Sequence, residues 1–434
     1  MSELYVNVAG AVDLGSVGAG FVGTATAGWE PSALSPPVRR VVTVPGVIAA
    51  DPEAALAGVR DGFHRWLHER RADLEPFRRE RPVSLEEQLV EQRPLQRLLF
   101  DAGWTRLGWP VAHGGLGGSR LARAVVIDEL AAAGYVVPEV LGNTDIVGSM
   151  LVRFAPRLAT EHLAAAIAGD EVWCQGFSEP DAGSDLASLR TRAVADDDQF
   201  RITGQKTWSS DGHVATGCAL LARTGPADSG YRGLTMFWLD LATPGVTTRP
   251  IACVDGRAEV AEIWLDGAVV GRDQVVGEVG GGWRVVMYLM QFERGAYAWQ
   301  RQADLRARLE ELLTPRGPEA PAPPPAAPGI IGDAFLRYYA LRAKCRGTLT
   351  ALSDGQELGP EISVDKVMLG IAEQTVADAV RSLLWPPFVT DDGDDAALSR
   401  RRWSYSRITT IYGGSAEVQR DLIAERLLGL PRGR

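Results

Sequence analysis

Three short stretches of this chain combine residue types that could do chemistry. Glu293-Arg294 lies inside the apolar run Val285–Trp299, V-V-M-Y-L-M-Q-F-E-R-G-A-Y-A-W. One reading is a partly exposed ion pair on a helix edge. The other is a carboxylate in an apolar pocket, whose pKa is raised by burial toward that of a useful general base. Ile411–Glu417 reads I-Y-G-G-S-A-E. It can be a tight turn into a helix capped by Ser415, with Glu417 in the first turn. It can equally be a place where glycines let a phosphate approach a helix start. Trp173–Asp185 reads W-C-Q-G-F-S-E-P-D-A-G-S-D, a strand that breaks at Pro180 into a small-residue loop. Such a loop is either a solvent-exposed turn or a site where backbone N–H groups meet a ligand.

Other chemistries find no support. The run Gly280-Gly281-Gly282 lacks the spacing of a P-loop or a dinucleotide fingerprint. No G-x-S-x-G occurs, which leaves a Ser/His/Asp hydrolase without a nucleophile elbow. The five histidines, at 64, 68, 113, 162 and 213, form no ligand cluster, and Cys174, Cys218, Cys253 and Cys345 show no C-x-x-C spacing. No metal site is expected. A formal charge of −10, with no basic stripe, argues against a nucleic-acid partner. Scattered cysteines suit a reducing compartment. With no basic leader, no clear signal peptide and no apolar run long enough for a membrane helix, the expected location is cytoplasmic, with no membrane partner. Lysine occurs only at 206, 344 and 366, against 42 arginines.

The elements that must position these residues are legible in outline. At 434 residues, with 46% hydrophobic content, the chain is long enough for two or three structural units. Residues 1–46 are rich in small residues without a period and read as a flexible arm. Asp51-Pro52-Glu53 is a good helix start, and a helix through His68 to Leu74 follows. Further helices are expected at Leu85 to about Gly103, Leu121–Ala133, Thr144–Phe154 and Arg157–Ala168. Residues 47–172 are therefore a helical N-terminal domain. Alternation in Cys218–Ala222 and Leu234–Leu241, and a hairpin signal at Asp196-Asp197-Asp198, make 173–278 an antiparallel β unit. One helix is expected from Gly282 to Leu313. Pro315–Pro328, with seven prolines in fourteen residues, reads as a stiff linker. Two long helices follow, with stripes at Tyr338, Leu341, Cys345, Leu349, Leu352 and at Leu369, Ala372, Val376, Ala379, Leu383. A last helix runs from near Ser415 through Leu428. Residues 279–434 thus form a helical C-terminal domain.

Taken together, Trp173–Ala193, G-Q-K-T-W-S-S at Gly204–Ser210, and I-Y-G-G-S-A-E-V-Q-R with A-E-R-L-L-G-L-P-R over Ile411–Arg432 resemble the acyl-CoA dehydrogenase flavoproteins. The similarity covers about residues 51–434. It implies an α+β fold: a helical N-terminal domain, a central antiparallel β-barrel-like domain and a C-terminal four-helix bundle. It also implies FAD, with removal of an α-proton from an acyl thioester as the β-hydrogen leaves as hydride to flavin N5. Gln175, Phe177, Ser178, Gly183, Ser184, Trp208 and Ser210 would line the cofactor. Phe177 and Ser178 would lie at the flavin pyrimidine end, and Trp208 and Ser210 at the isoalloxazine. Gly414, Ser415 and Glu417 would lie near the diphosphate and adenosine part. Ser184 and Arg294 would also face the substrate.

The resemblance implies a particular base. Many relatives carry it as the Glu of I-Y-E-G-T, where this chain has Gly413. The isovaleryl-CoA and long-chain dehydrogenases carry it on a helix just before an Arg, and Glu293-Arg294 matches that position. Glu293 is thus the expected base. The Gly413 backbone N–H, with a flavin ribityl hydroxyl, would stabilise the enolate oxygen. The segments that help homotetrameric relatives bind a neighbour's FAD are replaced here by the proline-rich linker and by Leu383-Leu384-Trp385-Pro386-Pro387. That departure resembles the actinobacterial subgroup used in steroid side-chain degradation, whose two different subunits form a two-plus-two tetramer. Expected partners are an acyl thioester on CoA or a carrier protein, an electron-transfer flavoprotein, and a like or related subunit. The competing readings are a non-catalytic subunit completing a partner's FAD site, and a flavin monooxygenase or oxidase on the same fold.

Overall fold

The computed structural model describes residues 52–78, 80, 82–314 and 323–431. The expected arm at 1–46 and the linker residues 315–322 lie outside them. Helices come first: α1 (Pro52–Glu69), α2 (Arg71–Leu74), α3 (Leu85–Asp101), α4 (Arg120–Ala132), α5 (Val140–Phe154) and α6 (Pro156–Ala168). Local chemistry sets their ends. Ser84 Oγ accepts the Glu87 N–H while the Glu87 carboxylate takes the Ser84 N–H, a reciprocal capping box. Gly169, in the left-handed region, closes α6.

Eight strands follow: β1 (Trp173–Gly176), β2 (Arg192–Asp196), β3 (Gln199–Ser210), β4 (Gly217–Arg223), β5 (Leu234–Asp240), β6 (Val246–Ile251), β7 (Val260–Gly271) and β8 (Val275–Val276). Their order is β6-β7-β3-β2-β4-β5-β8, with β1 added on β4. Most pairings are antiparallel, as expected. The β1–β4 pairing and a single β2–β4 pair are parallel. Asp197, with positive φ, sits in the β2–β3 hairpin turn. Strand β4 is buried on both faces, so its alternate residues serve different cores. Cys218, Leu220 and Ala222 join Phe200, Phe237 and Ile263 inside the sheet. Ala219 and Leu221 face the other way, with Trp173, Met236 and Trp238, onto Met150, Leu163 and Val285 of the helices.

The C-terminal elements are α7 (Gly282–Arg294), α8 (Ala296–Leu313), α9 (Ala327–Ser353), α10 (Ile362–Leu383), α11 (Pro387–Thr390), α12 (Asp394–Ser406) and α13 (Ala416–Leu422), followed by a wide π-type turn at Ile423–Leu427. The single helix expected over 282–313 is two, broken at Gly295. The proline-rich stretch ends earlier than expected, because Ala327 and Pro328 already open α9, where proline is tolerated. Both predicted stripes are in the core, except that Leu383 is only half-buried. Sequence reading missed α12, whose apolar positions are few. We propose a division at 47–172, 173–278 and 279–434 from the change of element type, helices before Trp173, strands to Val276 and helices from Gly282.

Candidate active site

Helix α7 buries Val285, Val286, Leu289 and Phe292 and carries Glu293 and Arg294 in its last turn. Gly295 ends it and lets α8 restart at once. The Gly295 N–H donates to Gln291 O at 3.0 Å, and Gly295 O accepts the Trp299 N–H at 3.1 Å. A Cβ at 295 would lie 2.9 Å from both Gln291 O and Thr348 Cγ2, so only glycine lets the junction sit this close to α9.

Opposite this junction runs the segment Ile408–Ser415. Lys366 on α10 donates a short hydrogen bond to Thr409 O, and its ammonium stands 3.8 Å from the centre of the Tyr412 ring. Thr409 Oγ1 donates to Glu373 Oε2 at 2.9 Å, and Glu373 is ion-paired to Arg301. Arg294 Nε reaches Gly413 O at 3.4 Å. Gly413 has φ +63°, and a Cβ there would lie 2.5 Å from Glu293 Oε1 and 3.4 Å from Lys366 Cε. The Gly413 N–H has no acceptor among the described residues. Glu293, Arg294 and Gly413 are therefore brought together.

Burial raises the Glu293 carboxyl above its ordinary range, against the opposing charges of Arg294 and Lys366. Burial lowers the Lys366 ammonium to about 8, against the pull of Glu293 and Glu373. A carboxyl with a raised pKa is the stronger base once ionised, which suits it to take a proton from a weak carbon acid.

A second cluster gathers the residues of the Trp173 stretch and the end of β3. Beyond β1 the loop folds on itself, with Glu179 N–H bonded to Ala182 O and Ala182 N–H to Glu179 O. The Glu179 carboxylate accepts the N–H groups of Arg190 (2.7 Å) and Thr191 (2.8 Å) and the Lys206 ammonium (2.8 Å). Lys206 also donates to Phe177 O at 3.1 Å, and the Thr207 N–H to Ser178 O at 2.9 Å. Burial works against the Glu179 charge, but Lys206 and the N–H donors outweigh it and hold the carboxyl low. Burial lowers Lys206 to about 8 although Glu179 stabilises its charge.

The ladder between β3 and β7 slips between Lys206 and Ser209. In that bulge Trp208 has φ +61° and is 62% exposed. A bulky side chain in the left-handed region is unusual and costs roughly 1–3 kcal/mol, so the bulge re-aims the indole outward. Phe177 is buried, Gln175 and Ser178 are half-buried, and Gly183, Ser184 and Ser210 are exposed. Gln175 Nε2 is 3.5 Å from Asn143 Oδ1 of α5. No hydrogen bond joins this cluster to the Glu293 cluster among the described residues.

Gly414 has φ +92°, and a Cβ there would lie 2.1 Å from Gln419 Nε2. Ser415 Oγ accepts the Val418 N–H at 3.3 Å, the cap expected at that position. Glu417 is exposed, and the backbone N–H at the start of α13 holds its carboxyl low, helped by Ser415. No metal-binding group of histidine, cysteine and carboxylate side chains occurs among the described residues. No described helix is long and apolar enough to cross a membrane.

Three regions of the chain match acyl-CoA dehydrogenase domains: the N-terminal domain at 59–170, the middle domain at 174–267 and the C-terminal domain at 280–428. Acyl-CoA dehydrogenase IpdE1 of Mycobacterium tuberculosis (strain ATCC 25618 / H37Rv) is 35% identical over 81% of this chain and 91% of its own length. This chain belongs to the acyl-CoA dehydrogenase family. It is a flavin oxidoreductase of the kind whose members dehydrogenate acyl thioesters. Among solved structures, the Tcur3481-Tcur3483 steroid ACAD has a TM-score of 0.69 at 25% identity, over 89% of this chain and 100% of its own. The ChsE4-ChsE5 complex from Mycobacterium tuberculosis has the same fold, with a TM-score of 0.69 at 24% identity and the same coverage.

The family is flavin-dependent, and the residues present fit such a group. Gln419 is fully buried, yet both polar atoms of its amide lack a partner, and the amide lies against Gly414. Buried polar groups are nearly always satisfied, so an orphaned amide marks a place for a ligand. The buried hydroxyl of Ser209, the residue after Trp208, is orphaned too, and a Cβ at Gly183 would meet nothing within 4 Å.

Sequence reasoning missed Lys206, Lys366 and Gln419 as individual positions. A signal for the lysines existed. In a chain with 42 arginines, all three lysines donate to an acceptor that is itself buried or walled in: Lys206 to Glu179, Lys344 to Asp365 and Lys366 to Thr409 O. A planar guanidinium does not replace a compact ammonium at such points.

Proposed function

We propose that this protein is an FAD-dependent dehydrogenase that introduces an α,β double bond into an acyl thioester, with Glu293 as the base. The observation that carries this reading is the Glu293 carboxylate, held against Gly413 at the point where a glutamate at 413 would begin. Relatives with I-Y-E-G-T place a carboxylate there from the other side of the site.

Gln175, Phe177, Ser178, Gly183, Ser184, Trp208 and Ser210, with Gly414, Ser415, Glu417 and Gln419, would hold FAD. When bound it supplies the hydride acceptor. The chain's own contribution is acid–base and positional. Glu293 takes the α-proton, and its reluctance to ionise makes that transfer less uphill. The free Gly413 N–H is available to the thioester oxygen as negative charge develops there. Arg294, bonded to Gly413 O, fixes the peptide that follows, and Lys366 holds the loop through Thr409 O and the Tyr412 ring.

The test is Glu293→Gln in the purified holoprotein. Loss of turnover of a saturated acyl-CoA with an artificial electron acceptor, at unchanged flavin content, supports the assignment. Near-normal turnover would sink it.

A further inference from the structure

Arg120 opens α4, and its guanidinium lies 4.6 Å from the centre of the Phe292 ring, the residue before Glu293. Its Nη1 donates to Ser149 Oγ of α5 at 2.8 Å. The Ser149 hydroxyl in turn donates to Asp145 O at 2.6 Å. No carboxylate pairs with Arg120 among the described residues. The nearby Asp145 is taken by Arg123 at 2.5 Å, and Arg123 is also bonded to Leu107 O and lies 4.3 Å from the Trp109 ring centre. Of the two guanidinium groups near Asp145, Arg123 holds the ion pair and Arg120 is left with a hydroxyl partner only.

Arg120 is half-buried, so its guanidinium is partly desolvated yet still accessible. Burial lowers Arg120 to about 10, and repulsion from Arg123 adds to it. Its walls are aromatic: Phe292, Trp109 at 5.8 Å, and Tyr288, which packs on Phe292 at 5.2 Å. The Tyr288 hydroxyl has no hydrogen-bond partner among the described residues. Burial raises that phenol while the Arg120 charge opposes the shift. A partly desolvated, accessible cation with no carboxylate partner is free to take an anionic group of a ligand.

We propose that Arg120 is a specificity-determining residue that binds a carboxylate at the end of the acyl group remote from the thioester. This rests on Glu293 being the base, because Phe292 links the two positions on α7. A carboxylate matches the site better than a phosphate. It is planar, carries one charge and is met by the fork of one guanidinium, with the Tyr288 hydroxyl as a further donor. The aromatic walls suit the methylene chain that must precede it. The substrate class is then an ω-carboxyacyl thioester, or a ring-bearing one with a carboxylate in the same place.

The experiment compares holoprotein binding of the 2-enoyl forms of adipoyl-, pimeloyl- and suberoyl-CoA with those of hexanoyl-, heptanoyl- and octanoyl-CoA, by calorimetry. These compounds are already dehydrogenated, so the readout does not need turnover. The wild type is expected to bind at least one carboxylate form roughly 10- to 100-fold more tightly than its neutral counterpart. Arg120→Met should bring that ratio near one. Arg120→Lys, which keeps the charge but loses the fork, should leave a smaller ratio above one, and it decides the matter if the Met variant does not fold. A wild-type ratio near one for every pair, or an unchanged ratio in the variants, overturns the proposal. Failure of the Glu293 assignment shows separately, as normal turnover by Glu293→Gln.

Discussion

The Glu293 carboxylate stands against the α-carbon of Gly413, so close that a side chain begun at 413 would start 2.5 Å from Glu293 Oε1. Two positions 120 residues apart in sequence therefore crowd one volume, and a side chain at 413 would require the Glu293 carboxylate to move aside.

That competition predicts a base that can be moved. Glu293→Gly should lower kcat by roughly 10²–10⁴-fold, the usual worth of a positioned general base. Gly413→Glu alone should fail, because its side chain meets Glu293 and its backbone is left-handed at φ +63°. Such a conformation costs a side-chain-bearing residue about 1–2 kcal/mol. The double variant removes the clash and returns a carboxylate from the other side. Its kcat should exceed that of either single variant in steady-state assays with an artificial acceptor. A double variant no better than Glu293→Gly would break the link between the two positions.

The raised pKa of Glu293 has two pH consequences. A base must be ionised, so kcat/KM should rise with pH through a value above the ordinary carboxylate range, and Glu293→Gln should abolish that limb. Stability runs the other way. A carboxyl whose folded pKa lies above its unfolded value contributes fully while protonated, below the unfolded value, and that contribution is lost as pH rises through the folded pKa. The wild type should therefore lose melting temperature relative to Glu293→Gln as pH is raised from about 4.5. Parallel melting curves across that range would show that burial does not perturb this group.

The Lys206–Glu179 pair clasps the loop after β1 to β3, with the lysine fully buried. Lys206→Met removes one partner and leaves the other as an uncompensated buried charge, which costs about 3–5 kcal/mol. Urea unfolding should show that loss. Flavin absorbance should fall with it, because the bonds from Lys206 to Phe177 O and from Thr207 to Ser178 O hold the proposed flavin-binding residues. Removing both charges together, as Lys206→Met with Glu179→Leu, should recover part of the stability and little of the flavin.

Much of the fold could be read from periodicity because most elements face only one apolar layer. The stripe Tyr338, Leu341, Cys345, Leu349 and Leu352 is buried as its spacing predicts. The period fails where a helix is covered by polar neighbours. Helix α12 buries only Ala396, Leu398 and Ser406 and holds its place through Arg400, Arg401 and Arg402, so no apolar stripe announces it. The break at Gly295 is silent for the opposite reason, since apolar spacing continues from Phe292 through Ala298 and Trp299. The site residues divide in the same way. Glu293 could be found because a carboxylate interrupts an apolar run. Lys366 could not, because its acceptor is a main-chain carbonyl 43 residues away, which no local pattern encodes.

Gln419 separates cofactor binding from folding. Its amide is fully buried and neither polar atom has a partner, so without a ligand it is a cost to the fold. Replacing an unsatisfied polar group by an apolar one of similar shape is neutral or stabilising. Gln419→Leu should therefore raise or preserve the melting temperature of flavin-stripped protein. The same change should weaken FAD binding by roughly 5- to 10-fold, the worth of a hydrogen bond of about 1–1.5 kcal/mol. Titration of stripped protein with FAD, followed by flavin fluorescence, gives the second quantity, and calorimetric melting gives the first. A variant that loses stability and keeps its FAD affinity would mean that the amide serves the fold. In that case the space beside Gly414 is where the side chain rests, and the cofactor must be held by the Trp208 cluster alone.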